Sequence, residues 1–366
     1  MTMKYYSLKN ILATDSIYNI VVGERSNGKT YSVLEYALKD YFKRGKQLAI
    51  IRRWSDDFKG KSGAQYFENL VSNGTIRKMS GGAYNGVRYR AQRWYLIRTN
   101  EKGESEADEK PFAFAFSFSG MEHDKSTSYP DVSTILFDEF ISSTGYYFPD
   151  EFIIFANTLS TIIRHRDDVR IFMLANTISW NCPYFREMGL KNVRKMEPGT
   201  IDVYRYGESR LRVAIELCSP TKGGKPSDMY FAFDNPKLTM ITGGAWEISV
   251  YPHLPCEYKP KDVIFTYYIE YEGEWLCCKI ICVGDNIFTF IHPQTIALDE
   301  KMLNSTLIYT PDYSPRPNYR RKITRPRTDA EKRIVEFFIR DKVFYSSNEV
   351  GETVRNYIHW CGGLTR

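Results

Sequence analysis

No apolar run in this chain reaches the ~18–20 residues needed to cross a bilayer, and the N-terminus lacks the apolar core of a secretory signal. Any membrane partnership is therefore expected to be indirect. Paired cysteine motifs are missing too: the seven cysteines (Cys182, Cys218, Cys256, Cys277, Cys278, Cys282, Cys361) are odd in number and none are spaced as Cys-x-x-Cys. Adjacent Cys277 and Cys278 would face opposite sides of a strand, which suits neither a zinc site nor a simple disulfide framework. Histidine is scarce, at five residues, and shows no metal-ligand spacing. A reducing, cytosolic setting fits these absences. No long-period internal repeat occurs. No charge of one sign dominates either: Lys+Arg 50 against Asp+Glu 44 leaves +6, compatible with a polyanionic partner without demanding one.

What is present is a folding composition, 43% apolar and 26% charged over 366 residues, long enough for two domains with separate cores. The 27 tyrosines and 22 phenylalanines supply core and, on a surface, stacking faces for nucleic acid. The first half alternates strand-like and helix-like segments. Tyr18 to Val22 reads as a buried strand, Val33, Leu34, Ala37, Leu38 and Tyr41 share one helical face, and Gly45 is a helix stop. Leu48 to Ile51, Phe112 to Phe116, Val132 to Phe137 and Val169 to Leu174 read as further strands, with helical periodicity over 64–72 and 149–163. This is the rhythm of a doubly wound α/β sheet, which binds ligands beyond the C-terminal ends of its strands. The charged, turn-rich stretch Glu101 to Lys110 reads as a solvated loop.

Beyond about residue 218 glycine and proline punctuate the chain, and 219–252 reads as a linker. Three strand candidates follow, Val263 to Tyr271, Trp275 to Val283 and Ile287 to Ile291, separated by Gly273 and a Gly284-Asp285-Asn286 turn as in a meander. Thr328-Asp329-Ala330-Glu331 has capping-box form before one helix, and 348–360 reads as another.

Chemistry concentrates near the N-terminus. Gly23-Glu24-Arg25-Ser26-Asn27-Gly28-Lys29-Thr30, followed by Tyr31, matches G-x-x-x-x-G-K-[ST] between a strand and a helix. The amides of such a turn and the helix N-terminus receive phosphates, Lys29 reaches the β- and γ-phosphates, and the Thr30 hydroxyl can hold Mg²⁺. ATP is the expected ligand. Ile135-Leu136-Phe137-Asp138-Glu139 ends an apolar strand in two carboxylates, 108 residues beyond Thr30. Asp138 suits the Mg²⁺ shell and Glu139 suits the general base for an attacking water. A glutamate directly after the metal-binding aspartate is the pattern of translocases and helicases, whereas signalling GTPases use a glutamine elsewhere.

Asn176 and Thr177 end the Val169 to Leu174 strand. If that strand lies between the P-loop strand and the Asp138 strand, they fall beside the γ-phosphate as a sensor; otherwise they close an ordinary strand-ending turn. Arg164-His165-Arg166 ends a helix, where an arginine can enter a neighbouring subunit's site or simply complement the helix C-terminus. Arg25, Lys125 and the Arg52-Arg53 pair are similar candidates.

With these pieces in order, residues 15–190 resemble the DNA-packaging ATPases of phi29-type tailed bacteriophages. The resemblance rests on Gly-x-Arg-x-x-Gly-Lys-Thr at 23–30 and on Ile51-Arg52-Arg53-Trp54. It continues through Lys125-Ser126, Tyr129-Pro130, Val132 to Ile135 and Phe137-Asp138-Glu139-Phe140. Arg164-x-Arg166, Asn176, Asn181 and Pro183-Tyr184-Phe185 complete it. It implies an α/β fold: a P-loop ATPase domain of the additional-strand, catalytic-glutamate type with a mostly parallel sheet, over 1–218, and a smaller ribonuclease-H-like α+β domain over 253–366. It also implies a homo-oligomeric ring, typically of five subunits, that drives double-stranded DNA into a procapsid at its portal vertex, in some cases with a packaging RNA. The setting would be the host cytoplasm and, transiently, the procapsid rather than the mature virion. By the family's pattern Arg164 would be a trans-acting arginine finger and Lys125 a second trans-acting residue.

No nuclease chemistry is expected in the C-terminal half. Glu270, Glu272, Glu274 and Asp285 sit around hairpin turns and on alternating strand faces, not as a converging two-metal set. The run Arg316, Arg320, Arg321, Lys322, Arg325, Arg327, interleaved with Tyr313 and Tyr319 and free of acids from 313 to 327, suits DNA, RNA or an acidic portal surface, or is an exposed linker. Lys59 and Lys61, flanking Gly60, are the expected pore-facing DNA contacts of the ring.

Overall fold

The computed structural model describes residues 5–100, 103–123, 128–142, 147–176, 182–219 and 251–363. The chain divides into two units, Met1–Glu247 and Ile248–Arg366.

The first unit is built on a ten-stranded sheet. Its strands are β1 (Tyr18–Gly23), β2 (Gln47–Arg52), β3 (Gly86–Arg90), β4 (Arg93–Thr99), β5 (Ser105–Ala107), β6 (Ala113–Ser117), β7 (Val132–Asp138), β8 (Arg170–Asn176), β9 (Ile201–Arg205) and β10 (Arg212–Leu217). Neighbours run β3-β4-β6-β2-β7-β8-β1-β10-β9, with β5 on β4. From β6 to β10 every pairing is parallel; β3, β4 and β5 on one side and β9 on the other are antiparallel. Parallel strands covered on both faces require continuous apolar runs, and all seven residues of β7 are buried.

The helices are α1 (Lys9–Leu12), α2 (Lys29–Arg44), α3 (Lys61–Gln65), α4 (Glu68–Ser72), α5 (Thr75–Met79), α6 (Glu151–Ile163) and α7 (Pro183–Glu187). Helix α2 buries Val33, Leu34, Ala37 and Leu38 and stops at Gly45, whose φ of 70° ends it with an N–H to Tyr41 carbonyl bond of 2.8 Å. One core lies on each face of the sheet: Val33, Leu34, Phe67 and Trp94 on one side, Phe137, Phe155, Tyr184 and Phe185 on the other.

Two expectations are corrected here. The helix expected over 64–72 is two short helices broken at buried Phe67, whose φ of −101° and ψ of 6° leave the helical region. The loop expected over 101–110 contains β5, which pairs with β4 through Ile97, Arg98 and Thr99.

The second unit carries a six-stranded sheet. Strands β11 (Val263–Tyr271), β12 (Glu274–Val283) and β13 (Asn286–Pro293) form the meander, joined by β14 (Ile308–Tyr309), β15 (Tyr319–Arg320) and β16 (Val343–Tyr345). The order is β15-β14-β11-β12-β13-β16; β14 is parallel to β11, and β15 to β14. Three antiparallel strands extended by two parallel ones from the first give the ribonuclease-H-like sheet. Helices α8 (Glu300–Ser305), α9 (Asp329–Ile339) and α10 (Asn348–Trp360) complete the unit. Cys278 packs in the core beneath α9 and α10 and Cys277 in the smaller core on the other face, as strand alternation requires. The Thr328 hydroxyl accepts from Glu331 N at 3.2 Å, but the Glu331 carboxylate turns to Arg327 N at 2.7 Å, so the capping box is shifted by one residue. Among the described residues no helix is long and apolar enough to cross a membrane.

Candidate nucleotide site

Strand β1 ends at Gly23, where glycine is forced: a Cβ there would lie 2.6 Å from Cys218 Cβ on the segment after β10. The turn that follows reverses through Ser26 (φ 62°) and Gly28 (φ 92°) and delivers Lys29 as the first residue of α2. Lys29 is 6% exposed, and its ammonium donates to the Glu24 carbonyl (2.7 Å), the Gly23 carbonyl (3.2 Å) and Asn27 Oδ1 (3.1 Å). Burial pushes the lysine below its usual range against the pull of Cys218, Asp138 and Glu24, while the Cys218 thiol beneath it is pushed up to about 12, chiefly by burial.

Strand β8 lies between β1 and β7, so the condition set on Asn176 holds, and Asn176 ends its strand beside Gly23. Asp138 ends β7 next to α2: Thr30 Oγ1 donates to its two oxygens at 3.3 and 3.5 Å, and the Tyr66 hydroxyl donates at 2.6 Å. A hydroxyl and a carboxylate converging at the end of a phosphate-binding loop are the donor set that suits Mg²⁺. Glu139 follows at φ 57°, a left-handed conformation that turns its side chain away from the sheet and leaves it 51% exposed.

The Arg52-Arg53 pair was expected among residues reaching into a neighbour; both are instead occupied within the chain. Arg52 bridges Asp57 (3.2 Å), Asp138 (3.5 Å) and Glu139 (2.9 Å). Burial opposes its charge, yet Tyr66, Asp138, Glu139 and Asp57 outweigh that cost and leave its pKa raised. Arg53 is buried and pairs with fully buried Glu151 at 2.8 Å. It also donates to the carbonyls of Phe140 (2.8 Å) and Glu139 (3.4 Å), so it fixes the main chain that carries Asp138 and Glu139. Glu151 is completed by the Tyr184 hydroxyl (2.8 Å) and Phe148 N–H (2.9 Å). The roles of Arg52, Tyr66 and the Arg53–Glu151–Tyr184 network were not read from sequence. The only signal was two arginines closing an apolar strand.

A cavity of about 660 Å³ opens over this centre. Arg25, Ser26, Asn27, Gly28, Lys29, Thr30 and Tyr31 line it together with Asp138, Glu139 and Asn176. Glu24 contributes through its carbonyl to Lys29, and the Tyr31 hydroxyl shares a 2.8 Å hydrogen bond with Thr75.

The remaining expected residues lie elsewhere. Arg164 ends α6 at φ 53° and ψ −121°, a region that L residues rarely occupy. Its neighbour Arg166 braces the fold by donating to the carbonyls of Tyr129 (3.2 Å) and Ile162 (3.1 Å). Lys125, Thr177 and Asn181 fall outside the described residues. Lys59 is exposed and pairs with Asp56 at 2.7 Å; Lys61 begins α3. In the second unit Arg320 pairs with Glu331 at 3.0 Å. Arg321 donates to the Pro311 carbonyl (2.7 Å) with Tyr313 3.9 Å from its guanidinium, and Lys322 lies over Trp360. Tyr313, Arg320, Arg321 and Lys322 line a second cavity, about 670 Å³ in volume, with Arg316, Arg325 and Arg327. Among the described residues no group of three or more His, Cys, Asp or Glu side chains could hold a metal ion.

A parallel sheet with a strand inserted between the P-loop strand and the strand ending in Asp-Glu defines a P-loop ATPase fold of the additional-strand type. A family model, that of the podovirus DNA encapsidation protein (Gp16), matches residues 2–197, and the chain belongs to this family. It is 30% identical over 183 residues to the DNA packaging protein of Bacillus phage phi29, covering 50% of this chain and 49% of that protein. It is 31% identical over 183 residues to the DNA packaging protein of Bacillus phage B103, covering 49% and 50%. The matched region thus spans about half the length of these relatives. In fold, the likeness extends over 100% of both chains to the Phi-28 gp11 DNA packaging motor (TM-score 0.57, 18% identity). It covers 97% of this chain and 98% of a chain of the bacteriophage Phi-29 viral genome packaging motor assembly (TM-score 0.56, 20% identity).

Proposed function

We propose that this chain is an ATP-driven motor that moves double-stranded viral DNA into a preformed procapsid at the portal vertex, working as a homo-oligomeric ring of about five subunits. The observation that carries the reading is the convergence of Lys29, Thr30, Asp138, Glu139 and Asn176 on one cavity at the C-terminal ends of adjacent parallel strands. ATP enters with its phosphates on the loop amides, and Lys29 leaves the carbonyls it now holds for the phosphates. Thr30 and Asp138 are the residues that would hold Mg²⁺, which would supply charge neutralisation at the phosphates. Glu139 accepts a proton from the attacking water once Arg52 releases it, and Asn176 senses the terminal phosphate. Arg164, and Lys125 with it, acts on a neighbouring subunit's nucleotide, a role consistent with the strained backbone at Arg164.

DNA is held through its phosphates by Lys59 and Lys61 and, in the second unit, by Arg321 and Lys322, with Arg320 as their support. The ATPase unit is assigned to 1–218 and the nuclease-like unit to 253–366, joined by 219–252, and the latter is assigned no cleavage activity. The portal, and a packaging RNA in related systems, are the assembly partners, in the host cytoplasm and on the procapsid.

The test is phosphate release with and without DNA and procapsids. Wild type is expected to show DNA-stimulated turnover. Glu139→Gln should keep ATP binding and lose at least about 10²-fold in rate, the usual contribution of a general base; Lys29→Ala should lose both. Mixing Arg164→Ala with Glu139→Gln subunits should restore part of the turnover. Equal, negligible release from wild type and Glu139→Gln would replace the motor with a nucleotide-gated scaffold. Turnover on DNA that is indifferent to procapsids would point to another kind of DNA translocase.

A further inference from the structure

The segment ahead of α1 is tied to the phosphate-binding loop by hydrogen bonds that the chemistry described so far does not require. Tyr6 N–H donates to the Asn27 carbonyl at 2.9 Å, and Ser32 Oγ on α2 donates to the Tyr6 carbonyl at 2.7 Å. The Tyr6 hydroxyl donates to Glu216 on β10 at 2.7 Å. These bonds fix the preceding residue, Tyr5, over the loop. A Cβ added to Gly28 would lie 3.2 Å from Tyr5 Cδ1 and 3.3 Å from Tyr5 Cβ, so the ring rests where a larger residue at 28 would intrude. Tyr5 lines the same cavity as Lys29 and Thr30, yet it is 64% exposed, and among the described residues no hydrogen bond, ion pair or ring contact engages its side chain. An aromatic ring placed at the mouth of a phosphate cradle by its anchored neighbour, with a bare face, lacks only a planar partner.

We infer that Tyr5 is the stacking platform for the nucleoside end of the bound nucleotide, positioned by Tyr6 and Glu216. The assignment rests on the reading of the loop as a triphosphate site and adds to it the part of the ligand that the loop does not grip. Stacking on an aromatic ring is tolerant of base identity, because every base offers a π face. Tyr5 therefore sets affinity for a nucleotide over its bare triphosphate, and it does not choose between adenine and guanine.

The full-length chain is titrated calorimetrically with the Mg²⁺ salts of ATP, GTP and inorganic tripolyphosphate, alongside Tyr5→Ala and Tyr5→Phe. Wild type is expected to bind ATP and GTP more tightly than tripolyphosphate. Tyr5→Ala should weaken both nucleotides by between about fivefold and a hundredfold and leave tripolyphosphate unchanged; Tyr5→Phe should match wild type. Equal melting temperatures of the three proteins without ligand establish that the fold is intact, as exposure of the ring predicts. If wild type binds nucleotide and Tyr5→Ala binds it equally well, or if tripolyphosphate weakens in parallel, the stacking role is overturned while the phosphate site stands. If wild type binds neither nucleotide nor tripolyphosphate, the phosphate site and the stacking role fall together.

Discussion

Arg52 holds Glu139 through one exposed contact at 2.9 Å, whereas Arg53 is locked into a buried pair with Glu151 and into the main chain around Phe140. Breaking the first contact frees a carboxylate at the cavity; breaking the second strands a buried charge. The first is thus suited to change when a ligand enters the cavity and the second to hold the frame. Glu216, which anchors Tyr6, shows how a single buried acid shapes pH dependence. Burial raises its pKa above the ordinary glutamate value. The folded state therefore keeps a proton that the unfolded chain has released, and this contribution to stability is complete below the free-carboxyl pKa and fades as pH rises through the folded value. Glu216→Gln keeps an acceptor for Tyr6 and has no charge to bury. Its melting temperature should exceed that of wild type at pH 7, with the gap closing toward pH 4. A gap that widens toward acid pH would contradict this account.

At the level of elements, β1, α2 and β7 were legible because each carries an unbroken local signal: an apolar run, a one-faced 3.6-residue period, a glycine stop. The hairpin of β3 and β4 was not, although Val87 and Tyr89 face Leu96 and Trp94 in strict alternation. Its turn is Ala91-Gln92, both at positive φ (49° and 59°), without the Asn-Gly or Asp-Gly that usually announces such a turn. Strands β9 and β10 were missed: they form a local antiparallel hairpin, and only β10 joins the rest of the sheet, by a long-range parallel pairing with β1 that no local period reveals. Of the site, the phosphate loop and Asp138-Glu139 were visible as motifs and Arg52 as half of an arginine pair without its partners; Tyr66 and Tyr5 were not, because only the fold brings them there. Trp94 links the hidden hairpin to the visible chemistry. It is fully buried among Phe58, Tyr66 and Phe67, with ring centroids 5.5–5.8 Å away, and its indole N–H donates to Gly63 at 2.8 Å. Trp94→Ala should cost about 3–5 kcal/mol by urea denaturation. Trp94→Phe should cost about 1–3 kcal/mol, mainly for the orphaned Gly63 carbonyl. A loss below 1 kcal/mol in Trp94→Ala would mean that the hairpin is dispensable to the core beneath α2.

Across the whole molecule, carboxylates and cations are sorted differently in the two units. In the first, Asp138 and Glu139 end a strand at an open cavity. In the second, the acids near the ends of the meander strands are spent inside the fold: Glu270 accepts from Thr310 at 2.7 Å and Glu274 from Thr353 at 3.1 Å. The open cavity of this unit is instead basic, with Arg316, Arg321, Lys322, Arg325 and Arg327 against a single carboxylate, Asp312. Phosphodiester binding by such a surface releases counterions, so affinity should fall steeply with salt and hardly depend on sequence. Each contact removed should lower the slope of log affinity against log salt by about one. For full-length protein on a random-sequence duplex, Lys322→Ala with Arg325→Ala should flatten that slope by about two and weaken unrelated duplexes equally. An unchanged slope in this double variant, with a reduced one in Lys59→Ala with Lys61→Ala, would move the DNA contact wholly to the ATPase unit.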